Sequence, residues 1–309
     1  MIEHVYFLGI GGTLMGSLAL LAKESGFDVA GSDGPIYPPM SEQLANAGIA
    51  VNQGFDPSDL DPTPDKIVIG NAKLPRGDPA VEFVLNQNLD YTSGAAWLGE
   101  NILRDRWVIA IAGTHGKTTT SSMVAWILEH AGLNPGYLIG GVPENFGVSA
   151  RVGDSPFFVI EADEYDSAFF DKTAKCLKYL PDIAVVGNVE FDHVDIYEDL
   201  DAVRSTFRRF LGVVPANGRV MLGGDDEEAS ALKAYAKAPV ETFGLNPGSN
   251  WRAVDVVYES ASTRFKVLHE NREVADVSLR LLGAFNVRNA LAAIAVADAV
   301  GISPNKCAD

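Results

Sequence analysis

The segment that most restricts the fold is residues 107–120, which read WVIAIAGTHGKTTT. The apolar start predicts a buried strand, and the glycine- and threonine-rich end predicts a turn that opens a helix. Backbone N–H groups and the positive end of the helix dipole converge at such a helix start, which suits a phosphate. Lys117 can reach terminal phosphates there, and a threonine hydroxyl can bind Mg²⁺. We therefore predict a phosphate-binding loop; a glycine-rich turn with an incidental lysine is the alternative.

This loop departs from the common nucleotide-binding pattern G-x-x-x-x-G-K-[ST]. Ile111 stands where that pattern has its first glycine, and the glycine that is available is Gly113. The strand before the loop and the helix after it still fit the pattern.

Apolar runs and segments with helical spacing alternate along the chain. Alternating strands and helices predict βαβ units and a mostly parallel sheet, so we predict an α/β fold. A new α/β run starts at residue 107, so we place a domain boundary near residue 106. We predict a Rossmann-like domain at 1–106 and a central P-loop-type ATPase domain at 107–309. Residues 250–279 alternate apolar and polar side chains, which predicts half-exposed antiparallel strands. The other predicted strands are 4–10, 27–33, 66–70, 107–113, 157–162, 182–189 and 219–224, and the predicted helices are 13–26, 38–48, 78–88, 117–131, 199–214 and 283–301.

Composition and charge narrow the functional classes. The 309 residues are 47% hydrophobic and 21% charged, as in soluble globular proteins, and the net charge of −17 argues against broad nucleic-acid binding. Two cysteines cannot form a disulfide framework or a zinc site, and such low usage fits a cytoplasmic protein.

Residues 5–22 lack charges over nearly the length of a membrane span, but no lysine or arginine precedes them and glycines interrupt them. We therefore predict a strand, a turn and a helix there, and no membrane association.

Acidic residues follow two further apolar runs. FFVIEADEYD (157–166) ends in carboxylates, where a phosphate-binding protein can place ligands for Mg²⁺ or groups that position water. One or two of these carboxylates would be functional, and the others solvated or paired. In VVGNVEFDHVDIY (185–197), His193 could serve in acid–base chemistry or in structure, since Mg²⁺ prefers oxygen ligands. The carboxylates of the first run are Glu161, Asp163, Glu164 and Asp166, and the polar residues of the second are Asn188, Glu190, Asp192, His193 and Asp195.

Near the N-terminus, GIGGTLMG (9–16) follows an apolar run, and Asp33 ends the next one. This arrangement resembles a nucleotide-binding βαβ unit, although Leu14 replaces the third glycine of G-x-G-x-x-G. The pattern allows a dinucleotide or a nucleotide-sugar diphosphate. A nicotinamide-dependent oxidoreductase is therefore an alternative, but it leaves the phosphate-binding loop and the acidic residues without a role. A nucleotide-binding sensor without chemistry is another.

Taken in this order, the motifs resemble the Mur ligase family, the ATP-dependent amide-forming enzymes of peptidoglycan synthesis and recycling. The family loop G-T-x-G-K-T accounts for the glycine at position 113. EADE followed by N-x-E-x-D-H, and GIGG-x-x-M-G followed by GSD, are similar to the branch that binds UDP-N-acetylmuramate. Finer matches resemble the members that join this sugar nucleotide to the recycled murein tripeptide L-alanyl-γ-D-glutamyl-meso-diaminopimelate; members that add L-alanine are the alternative. These matches are YPPMSEQL (37–44), GNAKLPRGDPAVE (70–82), GGVPENFGVSA (140–150) and EADEYDSAFFDK (161–172).

The resemblance implies ATP and Mg²⁺, or Mn²⁺, as cofactors, and UDP-N-acetylmuramate binding by the first domain. ATP would phosphorylate the lactyl carboxylate of muramate, and the peptide amine would attack the resulting acyl phosphate. The implied roles are catalysis by Lys117, Glu161 and His193; metal binding by Thr118, Glu161 and His193; ATP binding by Gly113, Thr114, His115, Gly116, Lys117, Thr118, Thr119, Asn286 and Asn289; and UDP-N-acetylmuramate binding by Gly11, Gly12, Thr13, Met15, Ser32, Asp33 and Asn71.

The chain also departs from the family in two places. GAFNVRNA (283–290) has Phe285 where the family usually has a histidine, so Phe285 could stack on the adenine while Asn286 and Asn289 contact it. Family members carry a third α/β domain, the ligase domain, that binds the incoming amino acid or peptide. Because the sequence ends at Asp309, we expect that domain to be absent here, and we expect this chain to bind UDP-N-acetylmuramate with little or no ligase activity.

Overall fold

The computed structural model describes residues 2–70, 74–191, 197 and 199–308. Its helices are α1 (Thr13–Glu24), α2 (Met40–Asn46), α3 (Pro79–Asn86), α4 (Gly94–Leu98), α5 (Lys117–His130), α6 (Leu200–Gly212), α7 (Glu227–Ala231), α8 (Ala284–Ala299) and α9 (Pro304–Cys307). Its strands are β1 (His4–Leu8), β2 (Asp28–Asp33), β3 (Ala50–Gln53), β4 (Lys66–Ile69), β5 (Tyr91–Ser93), β6 (Trp107–Ala112), β7 (Gly136–Leu138), β8 (Ala150–Arg151), β9 (Phe157–Glu161), β10 (Ile183–Val186), β11 (Arg219–Gly223), β12 (Val240–Gly244), β13 (Trp251–Tyr258), β14 (Thr263–His269) and β15 (Arg272–Leu279). Short 3₁₀ turns occupy Pro57–Leu60, Lys175–Lys178 and Leu232–Tyr235, and a π-helical turn occupies Gly99–Leu103.

The chain divides into two compact units. The first comprises Met1–Arg106, Gly136–Gly153 and Tyr165–Tyr179, and the second comprises Trp107–Pro135, Asp154–Glu164 and Leu180–Asp309. Two segments beyond residue 106 therefore fold with the first unit. The assignment of functional domains to 1–106 and 107–309 stays a prediction.

The first unit contains a parallel sheet with the strand order β3-β2-β1-β4-β5. After their polar first residues, His4 and Lys66, β1 and β4 are apolar and buried, as is typical of inner strands of a parallel sheet. The sheet is extended from β1 in both directions, so the strand order reverses there. In open α/β sheets, ligands bind outside the carboxyl ends of the strands at such a reversal point. The loop after β1, Gly9–Gly12, begins at this point.

The second unit contains a mixed sheet in which the strand order is β15-β14-β13-β12-β11-β10-β6-β9. The strands from β9 to β13 in this order are parallel, and β13, β14 and β15 are antiparallel. β6, which is buried from Val108 onward, lies between β9 and β10: Ile109 is opposite Val159 of β9 and Ile183 of β10. Helices α5 and α8 pack against each other. The carboxyl ends of β6, β9 and β10 therefore meet at one edge of the sheet.

The predicted α/β class, with a mostly parallel arrangement in each unit, is confirmed, and so are the antiparallel strands within 250–279. The sequence patterns missed β3, β5, β7, β8 and β12. These strands are short, and β3 is exposed along its whole length, so it shows no apolar alternation. Within the described ranges, no helix combines the length and the apolarity needed to cross a membrane.

Candidate active site

The loop between β6 and α5 contains two glycines that the backbone requires. Gly113 has φ 130° and Gly116 has φ 85°, conformations that a side chain disfavours. A Cβ at Gly113 would lie 3.1 Å from the Gly187 nitrogen, and one at Gly116 would lie 2.6 Å from Asn289 Oδ1. The loop can therefore pass close to its neighbours while α5 begins at Lys117, where its first N–H groups are available to an anion.

Asn188, which follows β10, fixes the shape of this loop. The Thr114 N–H donates to the Asn188 carbonyl at 3.1 Å, and the His115 N–H donates to Asn188 Oδ1 at 2.8 Å. In return, Asn188 Nδ2 donates to the His115 carbonyl at 3.1 Å. The Thr114 hydroxyl also accepts the N–H of Glu190 at 2.9 Å. The sequence placed Asn188 in a polar cluster but did not identify it as the residue that holds the loop.

Lys117 lies against its own loop and forms an ion pair. Its Nζ donates to the Gly113 carbonyl at 2.8 Å and lies 3.3 Å from Glu164 Oε2. The Lys117 side chain is 11% exposed and that of Glu164 is 3% exposed, so solvent screens this pair weakly. Of the four carboxylates in 161–166, Glu164 is thus the one that meets the predicted phosphate-binding lysine.

Thr118 and Glu161 bring two side-chain oxygens together beside the start of α5. Thr118 Oγ1 donates to Glu161 Oε2 at 3.2 Å, because β9 ends next to β6 and brings Glu161 to the loop. A hydroxyl and one carboxylate suit Mg²⁺, which uses few protein ligands and keeps waters or phosphate oxygens in its other positions. In the described part of the chain, no cluster of three or more His, Cys, Asp or Glu side chains could hold a metal. His193, the third predicted ligand, lies outside the described residues.

A cavity of about 440 Å³ opens beside the loop in the second unit. Asn289 and Phe285 line it, whereas the buried Asn286 does not. Asn286 Nδ2 donates to the Leu282 carbonyl at 2.9 Å, and its Oδ1 accepts from Asn289 Nδ2 at 3.3 Å. The structure thus places Asn286 behind Asn289. Thr119 is half-buried in the first turn of α5. The cavity is lined by Ile111, Ala112, His115, Gly116, Lys117, Thr120, Val185, Gly187, Asn188, Glu190, Gly223, Asp225, Asp226, Phe243, Phe285, Arg288, Asn289 and Ala292.

Two aspartates after β11 join segments around this cavity. Asp225 Oδ1 accepts the N–H of Asn246 at 2.8 Å, and its Oδ2 accepts Arg288 Nε at 2.6 Å. Burial raises the pKa of Asp225, but the backbone donors and the Arg288 guanidinium outweigh it, so the pKa lies below its ordinary value. Asp226 accepts the N–H of Ala229 at 2.7 Å at the start of α7. Neither residue was among the predicted site residues, although an acidic pair directly after a predicted strand was the available signal.

In the first unit, the predicted substrate residues gather at the carboxyl ends of β1 and β2. Asp33 Oδ2 accepts the Gly11 N–H and Oδ1 accepts the Gly34 N–H, each at 2.7 Å. Gly12 precedes α1 without a side-chain cap, and Gly12 and Thr13 are exposed. An uncapped helix start can bind a phosphate. Asp33 itself is buried and shapes the turn.

The remaining predicted substrate residues of this unit lie deeper. Met15 is buried, and a Cβ at Gly94 would lie 2.8 Å from its sulfur. Ser32 is also buried, and its carbonyl accepts the N–H of Gly9 at 2.8 Å. Both residues therefore lie in the interior of the first unit, and Ser32 also supports the turn through its carbonyl. Asn71 lies outside the described residues.

Two family profiles cover most of the chain. Residues 4–106 match the profile described as Mur ligase family, catalytic domain, and residues 111–297 match the one described as Mur ligase middle domain.

Individual relatives match over nearly the whole chain. The UDP-N-acetylmuramate–L-alanyl-γ-D-glutamyl-meso-2,6-diaminoheptandioate ligase of Haemophilus influenzae is 45% identical over 301 residues, which is 97% of this chain and 66% of that protein. The UDP-N-acetylmuramate–L-alanine ligase of Thiobacillus denitrificans is 38% identical over 98% of this chain and 63% of that protein. The crystal structure of UDP-N-acetylmuramate:L-alanyl-γ-D-glutamyl-meso-diaminopimelate ligase from Neisseria meningitides superposes with a TM-score of 0.94 at 46% identity, covering 100% of this chain and 97% of that one. The chain thus spans less than two thirds of the length of these curated relatives.

Proposed function

Because this chain belongs to the Mur ligase family, as its motifs predicted, we propose that it is part of an ATP-dependent carbon–nitrogen ligase. The carboxylate of UDP-N-acetylmuramate would be joined to the amine of L-alanyl-γ-D-glutamyl-meso-diaminopimelate, a reaction of peptidoglycan recycling in the cytoplasm. The observation that supports this most directly is Lys117, held by Glu164 and the Gly113 carbonyl beside the start of α5.

Sequence identity favours the tripeptide over L-alanine as the second substrate. The Haemophilus relative, which is named for the tripeptide, is 45% identical to this chain, whereas the Thiobacillus relative, which is named for L-alanine, is 38% identical. Transfer of L-alanine is therefore the second candidate function.

The described residues fit the chemistry of bringing two anions together. A carboxylate and a triphosphate repel each other, and the Lys117 ammonium and the loop N–H groups would offset that repulsion and the charge that develops during transfer. Thr118 and Glu161 would hold Mg²⁺, which supplies further positive charge when bound. Asn188 keeps the loop in shape, so the donors are already oriented before a nucleotide binds.

The first unit would hold the sugar nucleotide. The exposed, uncapped start of α1 at Gly12 and Thr13 suits a diphosphate, and Asp33 fixes the turn that precedes it. UDP-N-acetylmuramate differs from UDP-N-acetylglucosamine by the carboxylate of its muramate moiety, which is the group that the proposed reaction would use.

Calorimetric titration of the 309-residue chain with UDP-N-acetylmuramate and with ATP tests the proposal. We expect both to bind, and we expect Lys117→Ala to lose ATP affinity while it keeps that for the sugar nucleotide. ADP release by the complete protein should require the tripeptide. Release with L-alanine instead would select the second candidate, and a chain that binds neither nucleotide would contradict both.

A further inference from the structure

Two chemically different groups of residues line the cavity in the second unit. One group is the loop that is predicted to bind phosphate, with Gly116 and Lys117. Asn289 adjoins this loop, since a Cβ at Gly116 would lie 2.6 Å from its Oδ1. Phe285 lies one helical turn before Asn289 on the same face of α8, and the residue is 64% exposed. An exposed aromatic ring beside a phosphate site suits the flat face of a base.

Arg288 follows Phe285 by three residues in α8, lines the same cavity and is anchored at one atom. Its Nε donates to Asp225 Oδ2 at 2.6 Å, its side chain is 38% exposed, and it lines the cavity. Within the described residues, this is the one hydrogen bond that the Arg288 side chain makes. Because the guanidinium is planar and rigid, a bond at Nε orients the two terminal amino groups and leaves them available as donors.

Asp225 is itself rigidly held. Its carboxylate accepts the N–H groups of Leu245, at 2.9 Å, and of Asn246, at 2.8 Å, from the loop after β12. A Cβ at Gly244 would lie 2.4 Å from Asp225 Oδ1, so the glycine there leaves room for the carboxylate. The loop after β11, the loop after β12 and helix α8 are thus joined at one carboxylate.

We propose that Arg288 contacts the nucleoside part of the bound nucleotide, donating hydrogen bonds to acceptor atoms of the base or ribose, and that Asp225 is the positioning residue for its guanidinium. This inference rests on the proposed function, in which the loop around Gly116 binds the phosphates of ATP. A guanidinium whose charge is already paired acts at this site as an oriented donor rather than as a free positive charge.

Titration of the chain with Mg²⁺–ATP and with inorganic tripolyphosphate tests the inference, because tripolyphosphate lacks the nucleoside. We expect Arg288→Gln and Asp225→Asn each to raise the Kd for ATP about tenfold, the loss expected when a hydrogen bond from a charged donor is removed. The Kd for tripolyphosphate should stay within about twofold, since its contacts lie at the loop. Equal weakening of both ligands, or no change for ATP, would overturn the inference.

Two further variants separate this inference from the proposed function and from a general loss of structure. Lys117→Ala should weaken both ligands; if it weakens neither, the proposed function fails, whereas failure of Arg288→Gln alone overturns only the role of Arg288. Glu273→Gln removes the exposed pair with Lys266, away from the cavity, and should leave both affinities unchanged.

The double variant tests whether the two residues act as a unit. If Asp225 acts through Arg288, Asp225→Asn combined with Arg288→Gln should raise the Kd for ATP no further than Arg288→Gln alone. Additive losses would overturn the positioning role of Asp225. Arg288→Gln changes a partly exposed side chain, so the tripolyphosphate comparison stays decisive even if Asp225→Asn reduces the melting temperature.

Discussion

The Lys117 ammonium lies 3.3 Å from the Glu164 carboxylate and donates to the Gly113 carbonyl at 2.8 Å. Both side chains are largely shielded from water, so their attraction is stronger than that of a surface pair. Under the proposed function, a triphosphate on the same loop would compete with Glu164 for this ammonium. We therefore expect Glu164 to stabilise the nucleotide-free loop and to oppose anion binding.

Replacement of Glu164 by glutamine should lower the stability of the nucleotide-free chain and strengthen anion binding by the loop. We expect Glu164→Gln to lower the free energy of unfolding by about 2 kcal/mol, because a buried ammonium loses its counter-charge but keeps its carbonyl partners. Tripolyphosphate should then raise the melting temperature more in the variant than in the native chain. Scanning fluorimetry with and without tripolyphosphate measures both. Glu259→Gln, which removes an exposed pair with Arg264, is the control. If tripolyphosphate raises the melting temperature of Glu164→Gln no more than that of the native chain, the competition is refuted.

Thr118 and Glu161 should matter for the metal rather than for the phosphates directly. We expect Thr118→Ala and Glu161→Gln each to raise the Kd for Mg²⁺–ATP about tenfold, because each variant loses one oxygen that would bind the metal. The Kd for ATP measured in EDTA should change by no more than about twofold. Paired calorimetric titrations give the two affinities. Ser122→Ala, one turn further along α5, should change neither, although its hydroxyl donates to the Thr118 carbonyl. A loss of equal size in EDTA would argue that these residues do not bind the metal.

The proximity of the loop after β6 to the carboxylates after β9 was predictable without knowledge of the strand order, whereas phosphate binding by this loop stays a prediction. Polar residues that follow parallel strands share one edge of the sheet, so Lys117, Thr118 and Glu161 could be grouped from the sequence. The sequence could not predict which carboxylate contacts the lysine. Glu161 and Glu164 lie close together in sequence, and the course of the backbone after β9 decides which of them reaches Lys117. The structure assigns Glu164 to Lys117 and Glu161 to Thr118.

The contact between Asp225 and Arg288 could not be predicted from sequence patterns. Asp225 and Arg288 are separated by many residues, and their pairing depends on how α8 returns to the sheet. Burial within a motif was equally hidden: Met15 and Ser32 belong to the family motif, yet both face the interior of the first unit. A motif identifies residue types at a site and does not distinguish a ligand contact from a support behind it.

Gly31 should be among the least replaceable residues of the first unit. A Cβ there would lie 2.5 Å from the Phe7 carbonyl oxygen, which belongs to the backbone of the neighbouring strand and cannot rotate away. We expect Gly31→Ala to lower the free energy of unfolding by about 3 kcal/mol, the upper range for overpacking. Gly34→Ala, three residues later, meets no atom within 4 Å and should change stability little. Urea denaturation followed by circular dichroism compares them, and equal stability of the two variants would contradict the structure.

The Cys307 thiol should react slowly at neutral pH. Burial, together with the negative charge of Asp298, raises its pKa to about 11, and its Sγ donates to the Ser303 carbonyl at 3.5 Å. Since the thiolate is the nucleophile, we expect alkylation by iodoacetamide at pH 8 to be about a hundredfold slower than that of a free cysteine, whose pKa is about 8.5. Because the folded pKa is the higher one, the stability that the thiol contributes is fully present below about pH 8.5 and is lost as the pH rises toward 11. Mass spectrometry of the Cys307 peptide follows the rate, which should still be rising at pH 10, and Asp298→Asn should accelerate it at pH 8. A rate that levels off below pH 9.5 would show that the thiol is not shielded in this way.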